Sequence, residues 1–139
     1  MHNMYIRAIL GFFVALCSYL FGGLDGLLMA LIAMVILDFI SGLLKAINYK
    51  ELTSNKTYKG GIRKIGIFVI VAMGNIIDNA LELGGLLRAM TISYFIANEG
   101  ISILENWSSL GLPVPERLRK VLKQLHDKDD EKITKNFDN

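Results

Sequence analysis

Between Ala8 and Leu24 the chain runs for seventeen residues without a charged side chain. A helix that meets water needs a polar face along its whole length, and this segment has none to offer. The same segregation holds elsewhere. Of the 28 charged residues, seven lie within 45–64 and fourteen within 105–139, which leaves seven for the 84 residues of 1–44 and 65–104. Charges gathered into connectors and a tail are the signature of membrane spans. The 53% apolar content, arranged this way, largely excludes a soluble enzyme.

Three further runs resemble the first. Gly26–Leu44 is apolar apart from Asp38, Ile65–Leu81 apart from Asp78, and Ala89–Leu104 is interrupted by Glu99. Seventeen helical residues reach about 26 Å against a hydrocarbon core of roughly 30 Å, so each span is marginal by length. The expected fold is an all-α integral membrane protein with about four transmembrane helices and a short C-terminal amphipathic helix. Residues 1–110 form the bundle, with a basic loop at 45–64, and residues 111–139 form the tail. Only Arg7 precedes the first run, and no small-x-small site follows it, so the run reads as a retained span and not a signal peptide. Val14-Ala15-Leu16-Cys17 approaches a lipoprotein cleavage motif, but Leu16 stands where a small residue belongs. One cysteine excludes an intramolecular disulfide, and His2 and His126 make no Cys/His metal cluster.

Basic residues orient the bundle. Lys45, Lys50, Lys56, Lys59, Arg63 and Lys64 lie between spans two and three, seven more lie in the tail, and Arg7 precedes span one. With four spans, fourteen of the fifteen basic residues fall on one side, with Arg88 on the other. The positive-inside rule then puts both termini and the middle loop in the cytoplasm. Three spans would set the basic tail opposite the basic loop. Tyr5 and Trp107, at span ends, suit interfacial anchoring.

After Gly111, Pro113 and Pro115 break the chain, and Pro115 suits a helix start. Leu118, Val121, Leu122 and Leu125 follow helical spacing, with Arg117, Arg119, Lys120 and Lys123 between them. A basic amphipathic helix of this kind lies on an anionic inner leaflet. Docking on the middle loop or on a neighbouring subunit is the alternative. The residues beyond the mixed-charge run at 127–132 read as disordered.

Carboxylates within spans are costly and face a bundle interior or a wet cavity. Asp38 stands six residues before the end of its run, roughly 9 Å deep, with Ser41, Gly42 and Lys45 on its face. Glu99 lies at a similar depth with Ser102 and Asn106 on its face, and Arg63 or Lys64 is within reach of it. Asp78, near the outer end of span three, matches the level of Arg88, which suggests an interhelical Asp78–Arg88 ion pair. Asp38 and Glu99 admit two readings: a polar surface that becomes wet in an assembly, or static polar glue within one bundle. No serine has a span-embedded His or Lys base for hydrolysis. Gly60-Gly61 lacks phosphate-loop spacing and reads as the turn into span three. Nothing calls for a cofactor, a metal or a nucleic-acid partner.

Four segments together carry a resemblance: Asp38-Phe-Ile-Ser-Gly-Leu-Leu-Lys-Ala with Glu51-Leu-Thr-Ser, Lys59-Gly-Gly-Ile-Arg-Lys64, Asn98-Glu-Gly-Ile-Ser-Ile-Leu-Glu-Asn106, and Gly111-Leu-Pro-Val-Pro-Glu-Arg-Leu. In order and spacing they resemble the toxin-secretion/phage-lysis holin family of clostridia and related Gram-positive hosts, over roughly residues 25–125. The first span matches least. The resemblance implies a non-enzymatic protein that oligomerises with itself in the cytoplasmic membrane. It then forms lesions that release a cell-wall hydrolase, or in some relatives a large toxin. Asp38, Ser41, Gly42, Lys45, Lys59, Gly60 and Lys64 carry over as family-pattern residues without assigned roles. The competing readings are an antiholin, which shares the fold and poisons assembly, and an ion-channel or transporter subunit that uses Asp38 and Glu99 as its pathway. An antiholin is also a further partner that the resemblance implies.

Overall fold

A computed structural model describes residues 1–137. The first helix, α1 (His2–Phe21), ends at Gly22, whose left-handed backbone (φ 73) returns its N–H to the Ser18 carbonyl. Asp25 then starts α2 (Gly26–Asn48) as an N-cap, its carboxylate accepting the Leu28 N–H at 2.9 Å. Such a cap satisfies one of the four donors a helix start leaves free. Three more helices follow: α3 (Ser54–Ala80), α4 (Leu86–Ser109) and α5 (Glu116–Phe137).

Among the described residues, three helical segments are long and apolar enough to cross a membrane: Asn3–Phe21, Gly26–Asn48 and Ser54–Ala80. Helix α4 does not join them, yet it is the hub of the bundle, packing against α2, α3 and α5. Its buried residues include Arg88 and Glu99. A helix turned toward other helices instead of lipid has no need of an apolar surface all round, and that is why the fourth run is the most polar. It lies parallel to α2 and matches it in depth. Arg88 meets Asp25 at one end, and at the other the Tyr49 hydroxyl donates to the Ser109 carbonyl at 2.5 Å.

The core is small: Leu28, Leu31 and Val35 of α2, Ile67 and Val71 of α3, and Ile92 of α4. Phe12, Phe13, Ile65 and Val69 are exposed, as expected of residues that meet hydrocarbon. Helix α1 packs chiefly on α3, and none of its apolar stretch is buried. Between it and its neighbours runs an apolar cleft of about 640 Å³, floored by Phe21, Leu28, Ile32 and Phe68 and edged by the partly buried Cys17.

Three expectations need correction. The basic loop at 45–64 is mostly helix: Lys45 lies in the last turn of α2, and Lys56, Lys59, Arg63 and Lys64 lie in α3. Only Tyr49 to Thr53 connect the two helices, with Lys50 in a left-handed turn at φ 55. Gly60-Gly61 do not turn the chain. A glycine inside a helix costs only about 1 kcal/mol relative to alanine, and the apolar helix behind them propagates through both. The tail helix is likewise longer than 116–126, continuing through the charged run, expected to lack order beyond it, as far as Phe137. The last two residues of the 111–139 tail lie outside the described residues.

Candidate functional site

Two polar clusters sit among the helices, one toward each end. The cluster nearer the basic end gathers around Lys64. Ten residues into α3, its ammonium donates to Asp38 Oδ2 of α2 and to Glu99 Oε2 of α4. Asn106 donates to Asp38 Oδ1 at 3.3 Å and to Ser41 Oγ at 3.0 Å, and the Ser41 hydroxyl donates to the Asp38 carbonyl at 3.0 Å. Glu99 is 2% exposed and Ser41 1%. One ammonium shared between two carboxylates ties three helices through a cluster of formal charge −1. Gly42 lies against Asn106, Lys45 is half-buried toward the helix end, and Ser102 is half-buried on α4, outside these bonds. A cleft of about 260 Å³ between α2 and α3 has Asp38 and Lys64 in its wall and Glu51, Leu52 and Lys56 toward its mouth. Water entering from the basic end would therefore meet the cluster.

The cluster at the opposite end gathers around Arg88. Its guanidinium is bidentate on Asp25, at 2.7 and 3.0 Å, and donates to the Phe21 carbonyl at 2.6 Å and the Gly23 carbonyl at 3.3 Å. The Asn75 amide donates to the Tyr19 and Leu20 carbonyls at 2.9 and 3.1 Å. These are carbonyls that the end of α1 leaves without helical partners, and a cation there also meets the negative end of the helix dipole. At Gly22 the approach is so close that a Cβ would lie 2.5 Å from Asn75 Oδ1 and 2.8 Å from Arg88 Nε.

The expected Asp78–Arg88 side-chain pair does not form. The short turn from α3 to α4 places the Asp78 carboxylate beneath the first turn of α4. There it accepts the Gly85 and Arg88 backbone N–H groups at 2.7 and 2.8 Å. Asp78 thus caps α4 from a neighbouring helix, and the guanidinium is left to Asp25.

Arg88, together with the Leu28 N–H, holds the Asp25 carboxyl down from 3.8 to about 2. A depressed carboxylate stabilises the fold fully above its unfolded value and loses that contribution as pH falls through its folded one. The α1–α2 end of the bundle should therefore hold at pH 4 and loosen between pH 4 and 2. In detergent micelles, acid-dependent proteolysis of the α1–α2 junction would reveal that step. Asp25→Asn should abolish it; an unchanged step in that variant would assign it to another group.

The tail does not lie apart from the bundle. Helix α5 runs back along α4, antiparallel to it, with Leu122 (9% exposed) over Gly100 and the His126 ring stacked on Tyr94 at 4.8 Å between centroids. Of the apolar stripe read from the sequence, only Leu122 is buried, and Leu118, Val121 and Leu125 remain exposed. The leaflet-lying helix is thus replaced by one docked on α4, a contact that the stripe alone does not specify.

The family model for the bacteriophage holin family matches residues 15–127. The chain belongs to that family. This holin-family chain is 36% identical over 118 residues to a probable holin of Bacillus phage phi105, covering 85% of this chain and 87% of the relative. It is 40% identical over 114 residues to an uncharacterised 14.9 kDa protein of Clostridium perfringens (81% and 86% covered). An uncharacterised protein of Listeria monocytogenes is 40% identical over 131 residues (87% and 93% covered). No solved structure matches. A holin-family protein is a membrane pore-former rather than an enzyme, in keeping with the apolar helices.

Three residues of these clusters are read from the sequence only in part or not at all. Lys64 is read there as a basic-loop and family-pattern residue within reach of Glu99, but not as a partner of Asp38, and Asp25 is given no site role. Its place directly before an apolar run is nonetheless an N-cap signal. Asn75 gives no signal beyond being polar in an apolar stretch.

Proposed function

We propose that this chain is a holin that accumulates in the bacterial cytoplasmic membrane with both termini cytoplasmic. It assembles with copies of itself and opens lesions through which a cell-wall hydrolase, or a large toxin, leaves the cell. Within the holin family, the observation that carries this reading is the Asp38–Lys64–Glu99 cluster. A polar stripe of charged groups lies among α2, α3 and α4, paired within one chain and bordered by a cleft. Closed in this way, a single bundle can reside in lipid. When copies gather, exchanging internal partners for water in a shared lumen becomes accessible, and small oligomers give way to large ones.

The depth match between α2 and α4 supports α4 as a fourth span, screened from lipid by its neighbours. Four spans also keep the basic ends of α2 and α3 and the tail on one face, as the positive-inside rule requires.

Expression in a bacterium with and without a cytoplasmic cell-wall hydrolase tests the proposal. Abrupt lysis only with the hydrolase, together with release of a cytoplasmic reporter enzyme, is expected. Growth arrest with ion leakage and no reporter release would point instead to a small channel. Confirmed membrane expression with no effect would make the chain an antiholin.

A further inference from the structure

Helix α5 meets α4 through a face that is not its apolar one. At about 100° per residue, Leu118, Val121, Leu122 and Leu125 share one arc. The residues withdrawn from solvent are instead Arg119, Leu122 and His126, centred about a quarter turn away. Docking therefore buries one stripe residue and leaves Leu118, Val121 and Leu125 43% to 51% exposed.

Depth adds a second conflict. Tyr94, beneath His126, stands about 22 Å from the Ser109 end of α4. From His126 to Phe137, α5 continues for about 16 Å more. Docked, it runs the length of α4 and carries Lys128-Asp129-Asp130-Glu131-Lys132 toward the end that holds Arg88. Charges at those depths cannot face hydrocarbon, and the tail would finish opposite the basic end. A docked α5 and a spanning α4 are mutually exclusive.

The connector permits α5 to move. The six residues from Leu110 to Pro115 reach about 20 Å when extended. Gly111 is left-handed at φ 79, and Pro113 and Pro115 stop α4 from running on into α5. What α5 vacates suits lipid, since Gly100, Met34 and Tyr94 surround the seat of Leu122 and His126 and none is charged. The stripe itself is flanked by Arg117 on one side and Arg119 on the other, with Lys120 and Lys123 behind. From 116 to 126 only Glu116 opposes these four bases. A helix of this kind matches an anionic leaflet in charge and lies in its boundary, apolar face down, arginines reaching the headgroups. There it buries four stripe residues instead of one.

We infer that α5 leaves α4 when α4 spans the bilayer and lies on the anionic cytoplasmic leaflet, its stripe in the acyl boundary. The docked seat serves the chain outside the bilayer. This inference rests on the reading of the chain as a four-span holin.

Depth-resolved quenching tests it. In a Cys17→Ser background, Leu125→Cys carries a fluorophore at a site already exposed. The full chain is reconstituted into phosphatidylcholine vesicles with or without phosphatidylglycerol. With phosphatidylglycerol present, a nitroxide near the lipid headgroup should quench the label several-fold more than one at the acyl-chain end. Without that lipid, or with Arg117→Gln and Lys120→Gln added, most of the shallow quenching should be lost. Stronger quenching by the deep nitroxide would keep α5 on α4 at depth and overturn the inference. Quenching by neither, or equal shallow quenching with and without phosphatidylglycerol, would overturn it too. Should the labelled chain fail to reconstitute, Val121→Cys, also exposed, carries the same fluorophore. Shallow quenching in a chain that releases neither dye nor protein from loaded vesicles would reject the holin reading and leave the position of α5 standing.

Discussion

Lys64→Met should destabilise the bundle by about 3–5 kcal/mol, the usual cost of stripping one partner from a buried ion pair. Lys64 is the only ammonium within hydrogen-bonding distance of Asp38 and Glu99 among the described residues. Its loss leaves two carboxylates facing each other at sites that are 12% and 3% exposed. Adding Asp38→Asn and Glu99→Gln should recover most of that stability, because a neutral hydrogen-bonded cluster has no stranded charge. Denaturant resistance in micelles and abundance in the membrane fraction report both effects. The single changes Asp38→Asn and Glu99→Gln each leave one carboxylate on Lys64, so the fold should survive. Lysis at equal expression should then shift in time, and unchanged timing would reduce the cluster to a structural clamp.

Arg88→Met should release α1. Four hydrogen bonds are lost, two of them to backbone carbonyls, that of Phe21 at the end of α1 and that of Gly23 just beyond its cap. The Asp25 side chain is 49% exposed, so its share of the ion pair is screened by solvent. Most of the expected loss, about 2–3 kcal/mol, therefore comes from the stranded carbonyls and from the removed charge at a helix end. Arg88→Lys should recover only part, because an ammonium cannot reproduce the planar fork that spans Asp25 and both carbonyls. Protease sensitivity near Gly22 and Gly23 would measure the release. Equal resistance in wild type and variant would show that α1 is held by its apolar contacts with α3 alone.

What the sequence reveals follows from what it makes rare. Asp38 and Glu99 stand out because charges are scarce in their runs, and their depths can be counted from the ends. Lys64 is legible as a base within reach of Glu99, but its tie to Asp38 is not, because it lies among six basic residues in a segment that looks like a loop. The helix that carries it is set by propagation from apolar residues behind Gly60-Gly61, which composition does not show. Likewise, Asp78 and Arg88 are correctly matched in level, but a carboxylate one short turn below a helix start finds backbone N–H groups first. The polar character of the fourth run looks like weakness as a span. In the bundle it reflects a central position that only tertiary packing defines. The path of α5 depends on the fit of Leu122 over Gly100, a relation between residues 22 positions apart that helical spacing alone does not encode.

The central claim is that copies of this one chain, once dense enough, open a passage wide enough for a folded protein. The direct measurement uses the purified chain in sealed vesicles loaded with both a small dye and a folded reporter protein, over a rising protein-to-lipid ratio. Little release of either at low ratio, then abrupt release of both above a threshold, is the expected result. Graded dye release from the lowest ratio, with the reporter retained throughout, would contradict it.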